Sequence, residues 1–398
     1  MKATRPLKIA LLTTDSREHF REYHLEVPYF GAAPEALLEG FAQLPDIEVH
    51  VVSCARAQMK APEKLAPNIF FHGVYVPLLG WMRSVYYGCV QATKKRLRQI
   101  QADVVHGQGT ERDCALSAIF SGYPNVLTIH GNMAELSRLF GSRMLSFFWV
   151  VARLEDFSLR RTAGVFCNSE YTEGLVKPRA RQTWRVPNPI REPFFARARN
   201  GSKPAKAVLI NIGLISPRKR QLELLDVASA LARRGLDFEF QFIGHLDPAN
   251  SYAAAFLEKL KPLEQQGRAR YLGTKSVTQL IDCFDVGGAV VHFPFEEAFG
   301  LVVAEALARD LKFFGTNLGG IKDIAGDAPK AELFEVNDWS GLTESIASWI
   351  KQGSPHSQGA AHLMRQRYHP QVIARRHVEI YKEVLGKFAI NPRITPHP

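Results

Sequence analysis

Short apolar runs alternate with helical periodicity along most of this chain, and no other feature limits its fold as strongly. In the first half, the runs lie at residues 8–14, 47–52, 103–106, 126–130, 164–168 and 183–187. The alternation restarts with runs at residues 207–212, 238–243, 270–272, 288–293 and 312–316. Strands that alternate with helices form parallel, doubly wound sheets. The sequence therefore predicts an α/β protein with two Rossmann-like domains that face each other across a cleft.

The alternation is interrupted at residues 188–206, where Pro, Gly, Arg and Lys predominate and indicate a linker. A chain of 398 residues is too long for one ordinary hydrophobic core, which also favours two domains. We predict an N-terminal domain at residues 1–198 and a C-terminal domain at residues 199–369. Residues 370–398 are predicted to contain a final helix that crosses back to the N-terminal domain.

The formal net charge of +11 indicates an acidic partner. Nucleic acid, anionic lipid headgroups and phosphorylated small molecules all qualify by charge. The sequence contains no nucleic-acid-binding motif, so nucleic acid is not a predicted partner. No apolar stretch is long enough to cross a bilayer. The five cysteines have no metal-ligand spacing, which predicts reduced thiols, a cytoplasmic protein and no metal site.

Residues 82–100 form a basic amphipathic segment, with apolar side chains on one helical face and five Lys or Arg residues beside it. Such a helix can dock on an anionic membrane at about 1 kcal/mol per basic residue. It can equally bury its apolar face in the core and leave its basic face in solvent. Peripheral contact with the inner face of the membrane therefore stays open as an alternative.

Two glutamates follow the apolar run 288–293 at a spacing of eight residues. Glu297 lies in the loop after this predicted strand, and Glu305 lies about two turns into a helix predicted to begin near Phe299 and Gly300. Open α/β sheets bind ligands at the carboxyl ends of their strands, and the first N–H groups of a helix can receive an anion. A carboxylate beside an anion site suits a nucleotide sugar. The alternative is a turn and a solvated helix with two ordinary surface glutamates.

A cluster of cations follows the first strand of the second domain, at Arg218, Lys219 and Arg220. Because adjacent cations repel one another, we expect an anion there. A cation about 4 Å from a diphosphate is worth on the order of 4 kcal/mol at an effective dielectric near 20. This is enough to stabilise a leaving group. The alternative is a solvated helix start.

Two further positions in the first domain are weaker candidates. Gly31 precedes a helix after a long loop, where it could let the backbone approach a phosphate, or it could simply start the helix. His130 closes a predicted strand at its carboxyl end, where a histidine can hydrogen-bond a sugar hydroxyl. A structural histidine is the alternative.

These segments resemble the retaining, group 1 nucleotide-sugar glycosyltransferases of family 4, which have the GT-B fold. The resemblance covers most of the chain and is strongest from residue 207 to residue 324. It is carried by Glu297-Ala298-Phe299-Gly300-Leu301 with Glu305-Ala306, by Gly319-Gly320-Ile321, by Pro217-Arg218-Lys219, by Thr128-Ile129-His130-Gly131 and by Val186-Pro187-Asn188-Pro189.

The resemblance implies a hexosyltransferase whose donor is a nucleoside-diphosphate sugar and which needs no metal or other cofactor. Glu297 would contact the donor sugar, Glu305 the ribose and Lys219 the diphosphate, while His130 would lie near the reacting sugar. Further donor-binding or acceptor-binding positions would be Gly31, Gly213, Arg218, Gly244, Leu272, Phe299, Gly300 and Leu301. The N-terminal domain would bind the acceptor, which is a glycan, a lipid-linked molecule or a small molecule.

The chain departs from the family pattern at three places. Leu214 stands where arginine is usual, Pro294 stands where serine is common, and residues 309–312 replace a small residue, glycine and proline. The missing arginine at Leu214 supports one alternative function, a catalytically degenerate nucleotide-sugar-binding protein. A nucleotide-sugar epimerase on the same fold also stays open.

Overall fold

The computed structural model describes residues 5–196 and 206–390. The chain divides into two compact units. Unit 1 comprises Met1–Arg191 and His369–Pro398, and unit 2 comprises Glu192–Tyr368. The boundary thus falls between residues 191 and 192 rather than at the predicted 198/199. Residues 197–205 of the predicted linker and the last eight residues of the predicted C-terminal segment lie outside the described residues.

Unit 1 is built on one sheet with helices on its faces. Its strands are β1 (Leu7–Leu12), β2 (Ile47–Ala55), β3 (Lys64–Ala66), β4 (Ile69–Tyr75), β5 (Val104–Gln108), β6 (Asn125–Ile129), β7 (Val165–Cys167) and β8 (Thr183–Arg185). The sheet order is β3-β4-β2-β1-β5-β6-β7-β8. Every pair is parallel except β3 with β4. The six predicted strands are confirmed, and β3 and β4 were not predicted.

The helices of unit 1 are α1 (Ser16–Phe20), α2 (Ala32–Ala42), α3 (Tyr87–Ile100), α4 (Asp113–Ile119), α5 (Met133–Leu139), α6 (Phe147–Leu159), α7 (Glu170–Val176) and α16 (Pro370–Ile390). The helix α16 packs on α2, and Gly40 permits this contact. A Cβ atom at Gly40 would lie 2.2 Å from the carbonyl oxygen of Pro370. The buried Tyr381 of α16 reaches the sheet, where its hydroxyl lies 2.6 Å from Nδ1 of His106. His106 is thus a structural residue of the core.

The predicted helix over residues 82–100 is wrong at its start. Residues Met82–Ser84 form a 3-10 turn, and Val85 and Tyr86 adopt φ angles of 52° and 60° in the left-handed region. Helix α3 begins only at Tyr87, because a right-handed helix cannot continue through the left-handed backbone of these two residues. As a result, the Val85 side chain is half exposed instead of joining the buried face of the helix.

The strand order of unit 2 indicates where a ligand site lies. Its strands are β9 (Ala207–Ile212), β10 (Phe238–Ile243), β11 (Ala269–Tyr271), β12 (Ala289–His292), β13 (Lys312–Thr316) and β14 (Ala331–Phe334). All are parallel, in the order β11-β10-β9-β12-β13-β14. This is the 3-2-1-4-5-6 order of a Rossmann fold, and its direction of winding reverses between β9 and β12. The loops that follow these two strands therefore lie side by side.

The helices of unit 2 are α8 (Pro193–Ala196), α9 (Gln221–Arg233), α10 (Ser251–Gln265), α11 (Val277–Val286), α12 (Leu301–Leu307), α13 (Gly319–Ala325), α14 (Trp339–Lys351) and α15 (Ala360–Tyr368). The core between sheet and helices contains the phenylalanines of β10, the buried face of α9 and Trp349 of α14. The five predicted strands are confirmed, and β14 was not predicted. Among the described residues, no helix combines the length and the apolar character that crossing a membrane requires.

Buried histidines make the stability of this fold sensitive to acid. Burial lowers the pKa of His377, which stacks on Phe166 at 4.6 Å, to about 4. Burial likewise lowers the pKa of His106 well below its usual value. In the unfolded chain a histidine becomes protonated below a pKa of about 6.5, whereas in the folded chain these buried histidines stay neutral until the pH approaches 4. This contribution to stability is complete above pH 6.5 and is lost as the pH falls towards 4.

We therefore predict that the free energy of unfolding decreases between pH 6.5 and pH 4.5, and that His377→Phe makes this decrease shallower by up to about 1.4 kcal/mol per pH unit. Urea unfolding at several pH values measures both slopes. His24→Gln, in an exposed loop, is the control. Equal slopes for the wild type and His377→Phe would contradict the prediction.

Candidate active site

The side chains of Lys219 and Glu297 meet at the point where the winding of the unit 2 sheet reverses. Lys219 comes from the loop after β9 and Glu297 from the loop after β12, 78 residues further along the chain, and Lys219 Nζ donates a hydrogen bond to Glu297 Oε2. The two loops also share a backbone hydrogen bond of 3.2 Å from the Phe295 amide to the Arg218 carbonyl. The structure thus brings together the predicted phosphate-binding lysine and the predicted sugar-binding glutamate.

A third side chain, His292, completes this group, which we call the Glu297 cluster (Lys219, His292 and Glu297). His292 is the last residue of β12 and is almost completely buried. Its Nε2 atom lies 3.0 Å from Glu297 Oε2. Because an ionised carboxylate can only accept hydrogen bonds, we assign the proton to Nε2.

The ionisation of the Glu297 cluster follows from its burial and its charges. Burial alone would raise the pKa of Glu297, but the Lys219 charge and the His292 hydrogen bond outweigh it and hold this pKa well below its usual range. Burial and the Lys219 charge lower the pKa of His292 to about 4, although Glu297 acts in the opposite direction. At neutral pH the cluster therefore contains an ammonium, a carboxylate and a neutral imidazole that donates to the carboxylate.

Sequence reasoning missed His292 because it treated this residue as part of an apolar strand. The available signal was its position, since a polar side chain at the carboxyl end of a buried parallel strand lies at the ligand-binding edge of the sheet. The identity of its partner could not be read from the sequence. That partner depends on how the loop after β12 folds back over the strand end.

The other cations of residues 218–220 have partners of their own. Arg218 Nη1 donates to Glu296 Oε2 at 2.9 Å, and Glu296 is buried. Arg220 donates to Asn337 Oδ1 at 3.0 Å and to a nearby backbone carbonyl, and its guanidinium lies 4.4 Å from the ring centre of Trp339. The three cations therefore diverge, and their mutual repulsion is relieved without an external anion.

Glycines allow the strand ends around the Glu297 cluster to approach one another. A Cβ atom at Gly244 would lie 2.0 Å from the carbonyl oxygen of Gly213, while one at Gly213 would contact the methylenes of Lys219 at 3.5 Å. The Leu272 amide donates to the Phe242 carbonyl at 2.8 Å. Gly213, Gly244 and Leu272, all predicted donor-binding positions, thus lie at the adjacent carboxyl ends of β9, β10 and β11.

The segment between Glu297 and α12 is fixed by a second close approach. The Gly320 amide donates to the Glu297 carbonyl at 3.1 Å, and a Cβ atom at Gly320 would lie 2.4 Å from Cα of Phe299. Gly300 adopts a φ of 97° and precedes the helix, which begins at Leu301 rather than at Phe299 or Gly300. The Phe299 ring is buried edge-to-face against Tyr368 at 5.9 Å. Glu305 is buried within α12.

The departure from the family pattern at residues 309–312 is accommodated by polar contacts. The guanidinium of Arg309 donates to Asp285, and both side chains are buried. Asp310 accepts a hydrogen bond of 2.9 Å from the Ala361 amide, and Lys312 Nζ donates to the Lys330 carbonyl at 2.6 Å. Each of the three polar side chains in this segment therefore has a partner in unit 2.

His130 lies in unit 1, directly after β6. Its Nε2 atom is 2.8 Å from Gln108 Oε1, which assigns a donating Nε2–H, and burial lowers its pKa to about 4. The following turn is held by the buried Glu155. This carboxylate accepts from the Met133 amide at 3.0 Å and the Thr110 hydroxyl at 2.9 Å, and it pairs with Arg179. His130 is therefore neutral and rigidly placed.

Gly31 precedes α2 with a φ of −58°, a conformation that any residue adopts. The only neighbour that a Cβ atom there would meet, among the described residues, is Pro34 Cδ at 3.8 Å. The backbone therefore does not require glycine at this position, and the approach of a phosphate or acceptor stays a prediction.

Two family models match this chain. Residues 194–364 match glycosyl transferases group 1, and residues 35–191 match glycosyltransferase family 4. Among curated proteins, the chain is 24% identical over 331 residues to the GPI3 subunit of phosphatidylinositol N-acetylglucosaminyltransferase from Saccharomyces cerevisiae, covering 78% of this chain and 70% of that protein. It is 25% identical over 346 residues to N-acetyl-alpha-D-glucosaminyl L-malate synthase from Bacillus anthracis, covering 81% and 86%.

Solved structures show the same fold. Sucrose-phosphate synthase from Thermosynechococcus elongatus superimposes with a TM-score of 0.72 at 15% identity, covering 96% of this chain and 100% of that one. HepE from Anabaena, in complex with UDP-glucose, superimposes with a TM-score of 0.70 at 16% identity, covering 95% and 100%.

The contact between Lys219 and Glu297 predicts a measurable coupling energy. Both side chains are nearly buried, at 11% and 12% exposed, so removal of either partner leaves the other charge uncompensated. We expect Lys219→Met and Glu297→Gln each to lower the free energy of unfolding by about 3 kcal/mol. The decrease in the free energy of unfolding of the double variant should be smaller than the sum of the two single decreases, and the difference, which is the coupling energy, should be about 1–3 kcal/mol.

Urea unfolding of the four proteins in this double-mutant cycle measures the coupling. The exposed pair Arg234–Glu344, also in unit 2, provides the control cycle and should give less than about 1 kcal/mol. A coupling no larger than that of the control would contradict the assigned contact.

Proposed function

Because the chain belongs to the family 4 glycosyltransferases of GT-B fold, we propose that it transfers a hexosyl group from a nucleoside-diphosphate sugar to an acceptor with retention of anomeric configuration. The observation that carries this proposal is the contact between Lys219 and Glu297 at the ligand-binding edge of the unit 2 sheet. A cation and a carboxylate side by side suit a ligand that has phosphates at one end and hydroxyls at the other.

We propose a uridine-diphosphate sugar as the donor. The support comes from HepE, a structural neighbour solved with UDP-glucose and also with UDP and glucose. Gly213, Gly244 and Leu272 at the adjacent strand ends would border the nucleotide, and Glu305 would contact its ribose. The backbone at Phe299, Gly300 and Leu301 would approach the diphosphate.

Lys219 would stabilise the leaving diphosphate. Its ammonium group has three N–H donors, of which one is used by Glu297, so the others can reach phosphate oxygens. Arg218 lies in the same loop and is the second candidate cation. A cation about 4 Å from a phosphate charge is worth on the order of 4 kcal/mol at an effective dielectric near 20. We therefore propose that the leaving group is stabilised without a metal ion or other cofactor.

Glu297 would position the donor sugar. Lys219 and His292 both contact Oε2, and Oε1 has no partner among the described residues. Since the pKa of Glu297 is held well below its usual range, Oε1 is an ionised acceptor for a sugar hydroxyl rather than an acid. In unit 1, His130 would be a neutral hydrogen-bonding group for the reacting sugar, and Gly31 would border the acceptor or phosphate.

The role of Glu297 predicts a separation of transfer from binding. Glu297→Gln keeps the side-chain volume but weakens acceptance from the sugar, so we expect transfer to fall by roughly 100-fold or more. The affinity for UDP, which lacks the sugar, should change by only a few-fold. Lys219→Met should weaken both.

Calorimetric UDP titration and transfer assays measure these effects, with Glu264→Gln on the exposed face of α10 as the control. Full transfer by Glu297→Gln would contradict the assigned role. Interconversion of a UDP-sugar without an acceptor would instead identify an epimerase. UDP binding by a wild type that neither transfers nor hydrolyses any donor would identify a binding protein.

We further propose a cytoplasmic location with peripheral contact to an anionic membrane. The name of the GPI3 relative includes a lipid, phosphatidylinositol, which supports a lipid-linked acceptor among the acceptor classes. The loop between α5 and α6 supports membrane contact directly. This α5–α6 tip, residues 139–147, exposes Met144 by 73% and Leu145 by 74%, together with Phe140 and Phe147, and the exposed Arg143 lies between them.

The α5–α6 tip predicts binding to lipid vesicles. Flotation with vesicles that contain phosphatidylglycerol should recover the wild type, and recovery should fall with added salt because the arginine contribution is screened. The double variant Met144→Ser, Leu145→Ser should lose most of this recovery. Val286→Ser, Val372→Ser, which removes two exposed apolar side chains elsewhere, is the control. Equal recovery of both double variants would contradict membrane contact through the tip.

A further inference from the structure

An apolar groove opens on unit 1 between α3, α4 and α6, and the residues that line it include none of the Glu297 cluster of unit 2. Its volume is about 940 Å³, which is within the range of small-molecule sites. Val90, Leu116 and Ile119 are buried at its base. Leu154 and Phe157 of α6 form one side.

The mouth of this groove exposes large side chains to water. Tyr87 is 64% exposed, Val85 is 50% exposed and Phe120 is 39% exposed, and all three line the groove. The left-handed backbone at Val85 and Tyr86 contributes to this opening, because α3 begins only after them. A contiguous apolar surface of this kind on a folded domain marks an interaction site.

The polar side chains of the groove favour an anionic occupant. Lys94 of α3 and Arg153 of α6 both line it, and neither has a carboxylate partner among the described residues. The Arg153 guanidinium instead lies 5.2 Å from the ring centre of Trp149. Within the part of the chain that the structure describes, no Asp or Glu lines the groove. Apolar walls with two available cations match an alkyl chain that carries an anionic head group.

We propose that this groove binds the alkyl chain of an anionic membrane lipid, with the lipid head group at Lys94 and Arg153. The biological role of this groove rests on the proposed membrane contact, which it makes more specific. Lipid binding itself does not depend on the donor site. A second copy of this chain is a poorer occupant, since a protein of net charge +11 repels itself.

Chain length gives the first test, by calorimetry with monomeric amphiphiles below their critical micelle concentrations. Each methylene buried in an apolar site contributes a similar increment, so dodecyl phosphate should bind on the order of 100-fold more tightly than octyl phosphate. Equal affinities for the two phosphates would overturn the proposal.

Two pairs of variants locate the binding. Gln91 is exposed on α3 and lines the groove, so Gln91→Trp should place an indole across it and weaken dodecyl phosphate at least 10-fold. Gln99→Trp, on an exposed position of the same helix outside the groove, is the matched control. Lys94→Gln, Arg153→Gln should remove the preference for dodecyl phosphate over the uncharged dodecyl maltoside. Lys95→Gln, Arg160→Gln should preserve it.

If Gln91→Trp bound dodecyl phosphate as tightly as the wild type, the proposal would be overturned. It would also be overturned if sedimentation detected a concentration-dependent dimer in the wild type that was absent in Gln91→Trp. Calorimetric UDP titration of the same variants separates the two proposals. Gln91→Trp should bind UDP like the wild type. If the wild type bound dodecyl phosphate but not UDP, the donor assignment would fail while the groove assignment stood.

Discussion

The adjacency of β9 and β12 is the constraint on which the chemistry of unit 2 depends. Because the winding of the sheet reverses between these strands, their loops leave the same edge side by side. Lys219 and Glu297 are thereby brought into contact although 78 residues separate them. Burial of either charged side chain alone would be strongly unfavourable, and the opposite charge of its partner offsets much of that cost. The neutral His292 then orients the carboxylate without adding charge to the site.

The same physical rule applies to two other buried ion pairs of the molecule. Arg17 is completely buried in unit 1, where it pairs with Asp15 and donates to two backbone carbonyls. In unit 2, Asp285 pairs with Arg309, one of the residues that depart from the family pattern. Such pairs contribute little net stability over apolar replacements, but removal of one partner is costly. Arg309 is therefore accommodated by a buried partner of opposite charge and is not left as a local defect.

Much of the fold could be predicted because its central strands are buried on both faces and appear as continuous apolar runs. The missed strands have weaker patterns. In β14 each residue is only partly buried, and β3 is an exposed edge strand of three residues. The start of α3 could not be predicted, because nothing in the residue types Val85 and Tyr86 signals a left-handed backbone.

Two of the three residues of the Glu297 cluster were predictable from the sequence, but His292 and the contacts within the cluster were not. Glu297 and Lys219 could be identified because each follows a clear apolar strand and matches a family motif. Their partnership requires the strand order, which the spacing of apolar runs does not specify. Neither the pairing of Arg218 with Glu296 nor the departure of Arg220 towards Asn337 has a sequence signature. Side-chain direction in these loops is set by tertiary contacts.

The paired charges also show how leucine at position 214 affects the charge of the site, which the motif alone does not. Leu214 is half exposed at the end of β9, where the family usually has arginine. Lys219 and Arg218 are each balanced by a glutamate, so these four side chains carry no net charge. A diphosphate would therefore enter a site that orients it through hydrogen bonds but lacks the surplus cation that arginine at this position would provide. Under the proposed function, recognition of the donor would then depend more on backbone approach at the glycine-rich strand ends and on the proposed sugar contact of Glu297 than on net electrostatic attraction.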